Sequence, residues 1–295
     1  ENDQIKNFVL RFKPTNYQVF PEYNLKLQVD IMRCLHNRGF PAPNVILYES
    51  NEDILGSEFY LMDYINGEAP SDNPPYHMDP EGMVGKAVKE DRRKIWTEWI
   101  HYLNQIHILD VDDLGLTELE SKYGKNDPID IDIEYYQDFL NWGMDGEDNP
   151  LCDDVLNWLR ENKPKKNNPL SLCWGDSRPG NILYENFKAT ALLDWEMASY
   201  GDPISDVAWC LAVDDASSLG LTIERLEGSM DYKEALDIWS SKTGFSQENY
   251  EYYRIFSLLK FSVIMVRVAK KLVFNKIMPL ESDFYKNNYI SNFLK

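Results

Sequence analysis

The sequence predicts an α+β fold in two unequal lobes: a small β-rich lobe over residues 1–65 and a larger, mainly helical lobe over residues 66–295. Three observations carry that expectation. The early chain sets short apolar runs around one longer mixed run, in the order strand, helix, strand, strand. The final third is dominated by long segments of helical period. At 295 residues the chain can bury a large core and divide it between two lobes.

Charge and cysteine usage narrow the class of partner. Thirty Lys and Arg against 49 Asp and Glu give a formal net charge of −19. General nucleic-acid binding needs a basic footprint, so that class is excluded. An acidic surface serves solubility as well as cationic ligands, so it does not select a substrate. The four cysteines, Cys34, Cys152, Cys173 and Cys210, lie far apart with no C-x-x-C pair. A reduced cytoplasmic setting fits them better than a disulfide framework or a zinc site, and no signal peptide is expected. The apolar run Ile255 to Val268 is interrupted by Lys260 and Arg267, which argues for a buried helix and against a membrane span.

The elements follow in order. Phe8 to Phe12 reads as a strand. Leu25 to Leu35 has a mixed pattern that fits a helix ending near Arg38-Gly39, with the glycine as its stop. Phe40-Pro41-Ala42-Pro43 is an extended lead-in. Val45 to Tyr48 and Phe59 to Met62 read as strands joined across Asn51 to Gly56, and Met62 to Gly67 as a hinge into the second lobe. Ser71 to Tyr76, containing Asp72-Asn73-Pro74-Pro75, is a turn-rich linker. Ile95, Trp99, Tyr102, Leu103 and Ile106 fall on one face of a helix that ends at His107, a core or capping histidine rather than a catalytic one. Tyr135 to Trp142 and Asp153 to Leu159 are further helices, and residues 111–150 contain acidic, loop-rich pieces. Lys163 to Pro169 is a basic loop, read as a solvated connection, with a contact for an anionic acceptor as the alternative. Asp202 caps a helix with Pro203 at its first position. Tyr232 to Trp239 and Tyr250 to Val273 are helical, followed by a polar tail.

The chain is organised around Cys173 to Trp209. Apolar runs at 181–185 and 189–195 flank a tight turn at Asn186 to Lys188, a β-hairpin pattern. A hairpin brings its two bases together, so Asp176, Asn181 and Asp194 are expected to converge. Asn181 and Asp194 suit Mg²⁺, which takes few protein ligands and shares phosphate oxygens. Asp176 is then available to a substrate hydroxyl. Glu196 is a weaker second ligand candidate. Arg178 either pairs with a nearby carboxylate or clamps a phosphoryl group.

These residues carry a resemblance. Asp176-Ser177-Arg178-Pro179-Gly180-Asn181 has the five-residue step from Asp to Asn of the kinase catalytic loop, and Asp194 follows where a metal-binding aspartate would stand. The stretch resembles the aminoglycoside-phosphotransferase-like kinase superfamily, in the branch of acyl-CoA-dehydrogenase-associated kinase domains. The resemblance implies a bilobal protein-kinase-like fold, ATP and Mg²⁺ as cofactors, and transfer of the γ-phosphoryl group to a small-molecule acceptor hydroxyl. A hydroxyacyl-CoA or related hydroxy acid is the acceptor it implies. An aminoglycoside-type antibiotic kinase and a catalytically silent nucleotide-binding module are the alternatives. It also implies that Arg11 contacts nucleotide phosphates, that Gln28 stands where a helix residue pairs with that base, and that adenine docks on the backbone of Met62, Asp63 and Tyr64. Asp206 would brace the catalytic loop, and Trp174 replaces a histidine common in the family. Only seven residues precede Phe8, so the chain is expected to lack the phosphate-covering loop and its two strands.

Overall fold

The computed structural model describes residues 6–295; residues 1–5 of the predicted small lobe lie outside the described residues. Strand β1 (Phe8–Phe12) turns Val9 and Arg11 inward and leaves Phe8, Leu10 and Phe12 on the open face. Asn24 caps helix α1 (Leu25–Asn37) by accepting a hydrogen bond from Leu27 N at 2.9 Å. Gly39, in the left-handed region, stops it as the sequence predicts. Strands β2 (Val45–Glu49) and β3 (Phe59–Asp63) complete an antiparallel sheet of order β1-β3-β2, with Arg11 opposite Tyr60. The connection between β2 and β3 holds a helical turn, α2 (Glu52–Leu55), too short to show periodicity. The small lobe is therefore strand, helix, strand, strand, and the fold is α+β and bilobal, as predicted.

The larger lobe begins with α3 (Met83–Lys86) and α4 (Lys89–His107). It continues with α5 (Thr117–Tyr123), α6 (Pro128–Met144) and α7 (Pro150–Glu161). The region read as loop-rich is thus largely helical. Asp127 caps α6 with Pro128 just inside it, and Asn149 and Pro150 repeat that arrangement at α7. Two small antiparallel sheets follow: β4 (Ser171–Cys173) with β7 (Ser199–Gly201), and β5 (Ile182–Glu185) with β6 (Lys188–Leu192). Helices α8 (Ile204–Ala216), α9 (Tyr232–Thr243), α10 (Tyr250–Phe274) and α11 (Ser291–Leu294) close the chain.

Helix α8 has no polar face, since nearly all its residues are buried, and it packs along α10. The helix starts one residue later than predicted, with Pro203 rather than Asp202 at the cap position, and Asp202 Oδ1 accepts from Ile204 N at 3.2 Å from just outside it. Helix α10 buries Tyr253, Phe256, Leu259, Val263 and Val266. Among the described residues no helix is long and apolar enough to cross a membrane. All four cysteines are free and buried.

Candidate active site

The β5–β6 hairpin turns through Asn186 and Phe187 at φ 52° and 62°, the primed turn whose twist suits the flanking strands. Phe187 takes this unusual conformation while its ring packs on the core. At the hairpin base, Leu193 N donates to Asn181 O at 2.9 Å, which sets Asp194 beside Asn181. Asp194 itself has φ 61°, a region that short polar side chains tolerate.

Asp176 stands at the centre. Its Oδ1 accepts from Trp209 Nε1 at 2.6 Å and from Arg178 Nε at 2.9 Å. Its Oδ2 accepts from Asn181 Nδ2 at 2.7 Å. The structure therefore brings Asp176, Arg178 and Asn181 into direct contact. Trp209 reads as a core residue in the sequence, and only its indole N–H, invisible to periodicity, ties it to the site.

The loop carrying Asp176 is braced from beneath. Asp206, on α8, accepts from Trp174 N at 2.6 Å and Gly175 N at 2.8 Å. His107 Nε2 lies 3.0 Å from Asp206 Oδ2, and Trp239 Nε1 donates to His107 Nδ1 at 2.9 Å. An indole can only donate, so His107 Nδ1 accepts and its Nε2 carries the proton given to Asp206. His107 is thus a buried structural link. Trp174 stacks on Trp195 at 5.0 Å and donates to Leu193 O at 2.9 Å, joining the loop to the segment that carries Asp194. Gly175 has φ 86°, and a Cβ there would strike the Met197 carbonyl. Gly175→Ala is expected to cost about 1–3 kcal/mol from strain and displacement of that carbonyl, read as a lowered denaturant midpoint.

Arg178 pairs with Asp72 through Nη1 as well as with Asp176. Asp72 belongs to the Asp-Asn-Pro-Pro-Tyr linker, which stood out in the sequence without a chemistry attached. Arg11 finds its carboxylate in Glu196, 3.3 Å away, with Asp194 at 4.0 Å. It does not meet Gln28. Gln28 Oε1 instead accepts a long bond from Tyr60 OH at 3.5 Å, and Gln28 Nε2 is buried without a partner. Tyr60, which pairs with Arg11 across the sheet, is the residue whose hydroxyl reaches Gln28. At the hinge, Asp63 N is committed to Asn44 O at 3.0 Å, and Met62 lies within the sheet. Among the described residues, no backbone hydrogen bond reaches Tyr64 or Ile65.

Burial, then the charge of Asp176, pushes the Asp194 carboxyl above its ordinary range, with Arg11 and Arg178 opposing. Burial and Asp194 push Glu196 up to about 7. A cation beside these two acids would relieve both shifts. Asp194 Oδ1 is buried with no hydrogen-bond partner among the described residues. Asn181 spends its nitrogen on Asp176, leaving the amide oxygen as its uncommitted atom. A carboxylate oxygen and an amide oxygen form a hard donor set that fits Mg²⁺. No group of three His, Cys, Asp or Glu suited to a metal occurs among the described residues.

The chain is similar to several known proteins. The acyl-CoA dehydrogenase family member 11 of Rattus norvegicus is 28% identical over 204 residues, 68% of this chain and 24% of that protein. Family member 10 of Mus musculus is 27% identical over 277 residues, 90% of this chain and 24% of that protein. The chain thus spans about a quarter of the length of the curated relatives it matches. A solved candidate aminoglycoside phosphotransferase from Ralstonia eutropha shares the fold at a TM-score of 0.68 and 19% identity, over 94% of this chain and 80% of that one. The family model of the APH phosphotransferase enzymes matches residues 1–237, a stretch that holds Arg11, Asp176, Asn181 and Asp194. With that much of its length inside the match, the chain belongs to the phosphotransferase enzyme family.

Proposed function

We propose that the chain is an ATP-dependent phosphotransferase that moves the γ-phosphoryl group to an acceptor hydroxyl. One observation carries the reading: Asp176 is held by three donors beside an uncommitted amide oxygen and an orphaned buried carboxylate oxygen. Two donors occupy Oδ1, which leaves a lone pair on Oδ2 for the acceptor O–H. Asp176 would orient that hydroxyl for in-line attack and take its proton as the bond to phosphorus forms. Arg178 is anchored through Nε and Nη1, and Nη2 has no partner among the described residues. Its free edge is suited to a transferring phosphoryl oxygen, which favours the clamp role over simple pairing. Arg11 would meet the nucleotide phosphates, and the free backbone of Tyr64 and Ile65 would receive adenine. Mg²⁺, held by Asn181 Oδ1 and Asp194, would offset charge on the phosphates.

For the acceptor we propose a hydroxylated acyl compound. The names of the curated relatives support acyl chemistry. Several basic side chains of the larger lobe already have partners. Lys86 pairs with Glu81, Lys89 with Glu227, Arg93 with Glu234 and Lys163 with Asp130, while Arg92 caps backbone carbonyls.

The test is ATP consumption against hydroxy acids, their coenzyme A esters, sugars and aminoglycosides at varied Mg²⁺. Asp194→Asn is expected to raise the Mg²⁺ needed for half-maximal rate at least tenfold, about the loss of one charged metal ligand. An unchanged Mg²⁺ requirement would remove Asp194 from the metal site. Tight Mg-ATP binding with no turnover on any acceptor would mark a silent nucleotide-binding module.

A further inference from the structure

The Asp72-Asn73-Pro74-Pro75-Tyr76 linker is fixed at both ends. Upstream, Glu68 and Tyr184 of β5 exchange backbone hydrogen bonds at 2.9 and 2.8 Å, and Thr190 Oγ1 on β6 donates to Asn66 O at 2.9 Å. Downstream, Tyr76 OH donates to Asp214 Oδ1, and His77 Nε2 lies 2.9 Å from the same oxygen. Leu226 N donates to His77 Nδ1 at 3.2 Å, so Nε2 carries the proton given to Asp214. Asp214 is 2% exposed and stands on α8, the helix that also carries Asp206 and Trp209. One helix therefore supports the catalytic loop, the Asp176 carboxylate and the linker. Between these anchors the Asp72 side chain, 60% exposed, reaches Arg178 Nη1 and accepts no other hydrogen bond among the described residues. A Cβ at Gly180 would strike Arg178 Nη1 and come within 3.0 Å of Asp72 Oδ1, so this glycine leaves the space that the pair occupies. The cavity between the linker and α8, lined by Asp72, Tyr76, Arg178 and Asp214 among others, is about 30 Å³, room for a water and not for an acceptor.

An exposed ion pair contributes little to stability, so folding does not account for a segment anchored this firmly around one carboxylate. Its geometric effect is larger. The guanidinium is a rigid planar fork. The bond from Nε to Asp176 alone leaves that plane free to pivot. The second bond, from Nη1 to Asp72, fixes it and aims Nη2, which has no hydrogen-bond partner among the described residues. A donor aimed before the reaction needs no reorganisation as charge develops. We propose that Asp72 is a positioning residue for phosphoryl transfer: the linker is a strap whose carboxylate sets the Arg178 plane so that Nη2 meets the transferring phosphoryl group. The inference rests on the phosphotransfer reading and adds a residue to it. Asp72 touches neither nucleotide nor acceptor in this account and acts through Arg178.

The test measures calorimetric binding of Mg-ADP to the full chain, with and without aluminium fluoride as the mimic of the transferring phosphoryl group. The variants are Asp72→Ala, Asp72→Asn, Gly180→Ala, Arg178→Ala and the double variant Asp72→Ala with Arg178→Ala. The unaltered protein is expected to bind the fluoride complex more tightly than Mg-ADP alone. Asp72→Ala is expected to lose about tenfold or more of that preference, the scale of one charged hydrogen bond, with Mg-ADP affinity nearly unchanged. Asp72→Asn keeps an acceptor oxygen and loses less. Gly180→Ala, which pushes Nη1 off Asp72 from the loop side, is expected to match Asp72→Ala. Once Arg178 is removed, Asp72→Ala costs nothing further, because it acts through that guanidinium. A merely structural strap would weaken Mg-ADP and the fluoride complex alike, with or without Arg178. That result, or an Asp72→Ala variant that keeps the full fluoride preference, overturns the inference while the phosphotransfer reading stands. An unaltered protein that binds no Mg-ADP, or gains nothing from aluminium fluoride, overturns both.

Discussion

Asp176→Asn is expected to lower kcat about a thousandfold while the protein still folds, within the range that general-base groups contribute. The carboxylate accepts three hydrogen bonds. An amide in its place keeps one acceptor oxygen, which can still receive Trp209 and Arg178. Its nitrogen then faces the nitrogen of Asn181, two donors in opposition. Asn181 can escape by flipping, but that turns its oxygen toward position 176 and away from the metal position. The variant is therefore expected to show a second defect, a raised Mg²⁺ requirement, beside the lost base. Steady-state kinetics at several Mg²⁺ concentrations separate the two. Near-normal kcat at saturating Mg²⁺ would strike Asp176 from the mechanism.

Asp206→Ala is expected to destabilise the protein by about 3–5 kcal/mol, because each buried donor left unsatisfied costs about 1–3 kcal/mol. Three donors lose their acceptor: Trp174 N, Gly175 N and His107 Nε2. Asp206 is only 1% exposed, so little water can replace the carboxylate. Asp206→Asn keeps one acceptor and should lose about half as much, since its nitrogen confronts a remaining N–H. Denaturant unfolding measures both. The catalytic loop hangs from this carboxylate, so kcat should fall even where the variant remains folded. A loss below about 1 kcal/mol for the alanine variant would show that the loop is held by other means.

How much of this was legible in the sequence depended on the range of the interaction. The hairpin was readable because a two-residue turn and alternating runs are local. From it came the meeting of Asp176, Asn181 and Asp194, since a closed hairpin leaves its bases nowhere else to go. Helices α4 and α10 were readable from their apolar faces, and α1 from its glycine stop. The β4–β7 pair escaped notice because three residues carry no period. The Arg11 partner differs from the one the resemblance implies: Arg11 meets Glu196, from a segment far along the chain, and not Gln28. The bond from the Asp63 amide to Asn44 O likewise joins separate segments and has no signature in the sequence.

The sequence by itself determined the bilobal α+β plan, the hairpin and the identity of the residues at its base, because these follow from periodicity, turn chemistry and short spacings. Only the tertiary structure decided which donors load Asp176, which acid answers Arg11, and that Lys260 pairs with Asp132. Those contacts join residues from separate elements, and no spacing along the chain encodes the distance between elements that meet only once the core has packed.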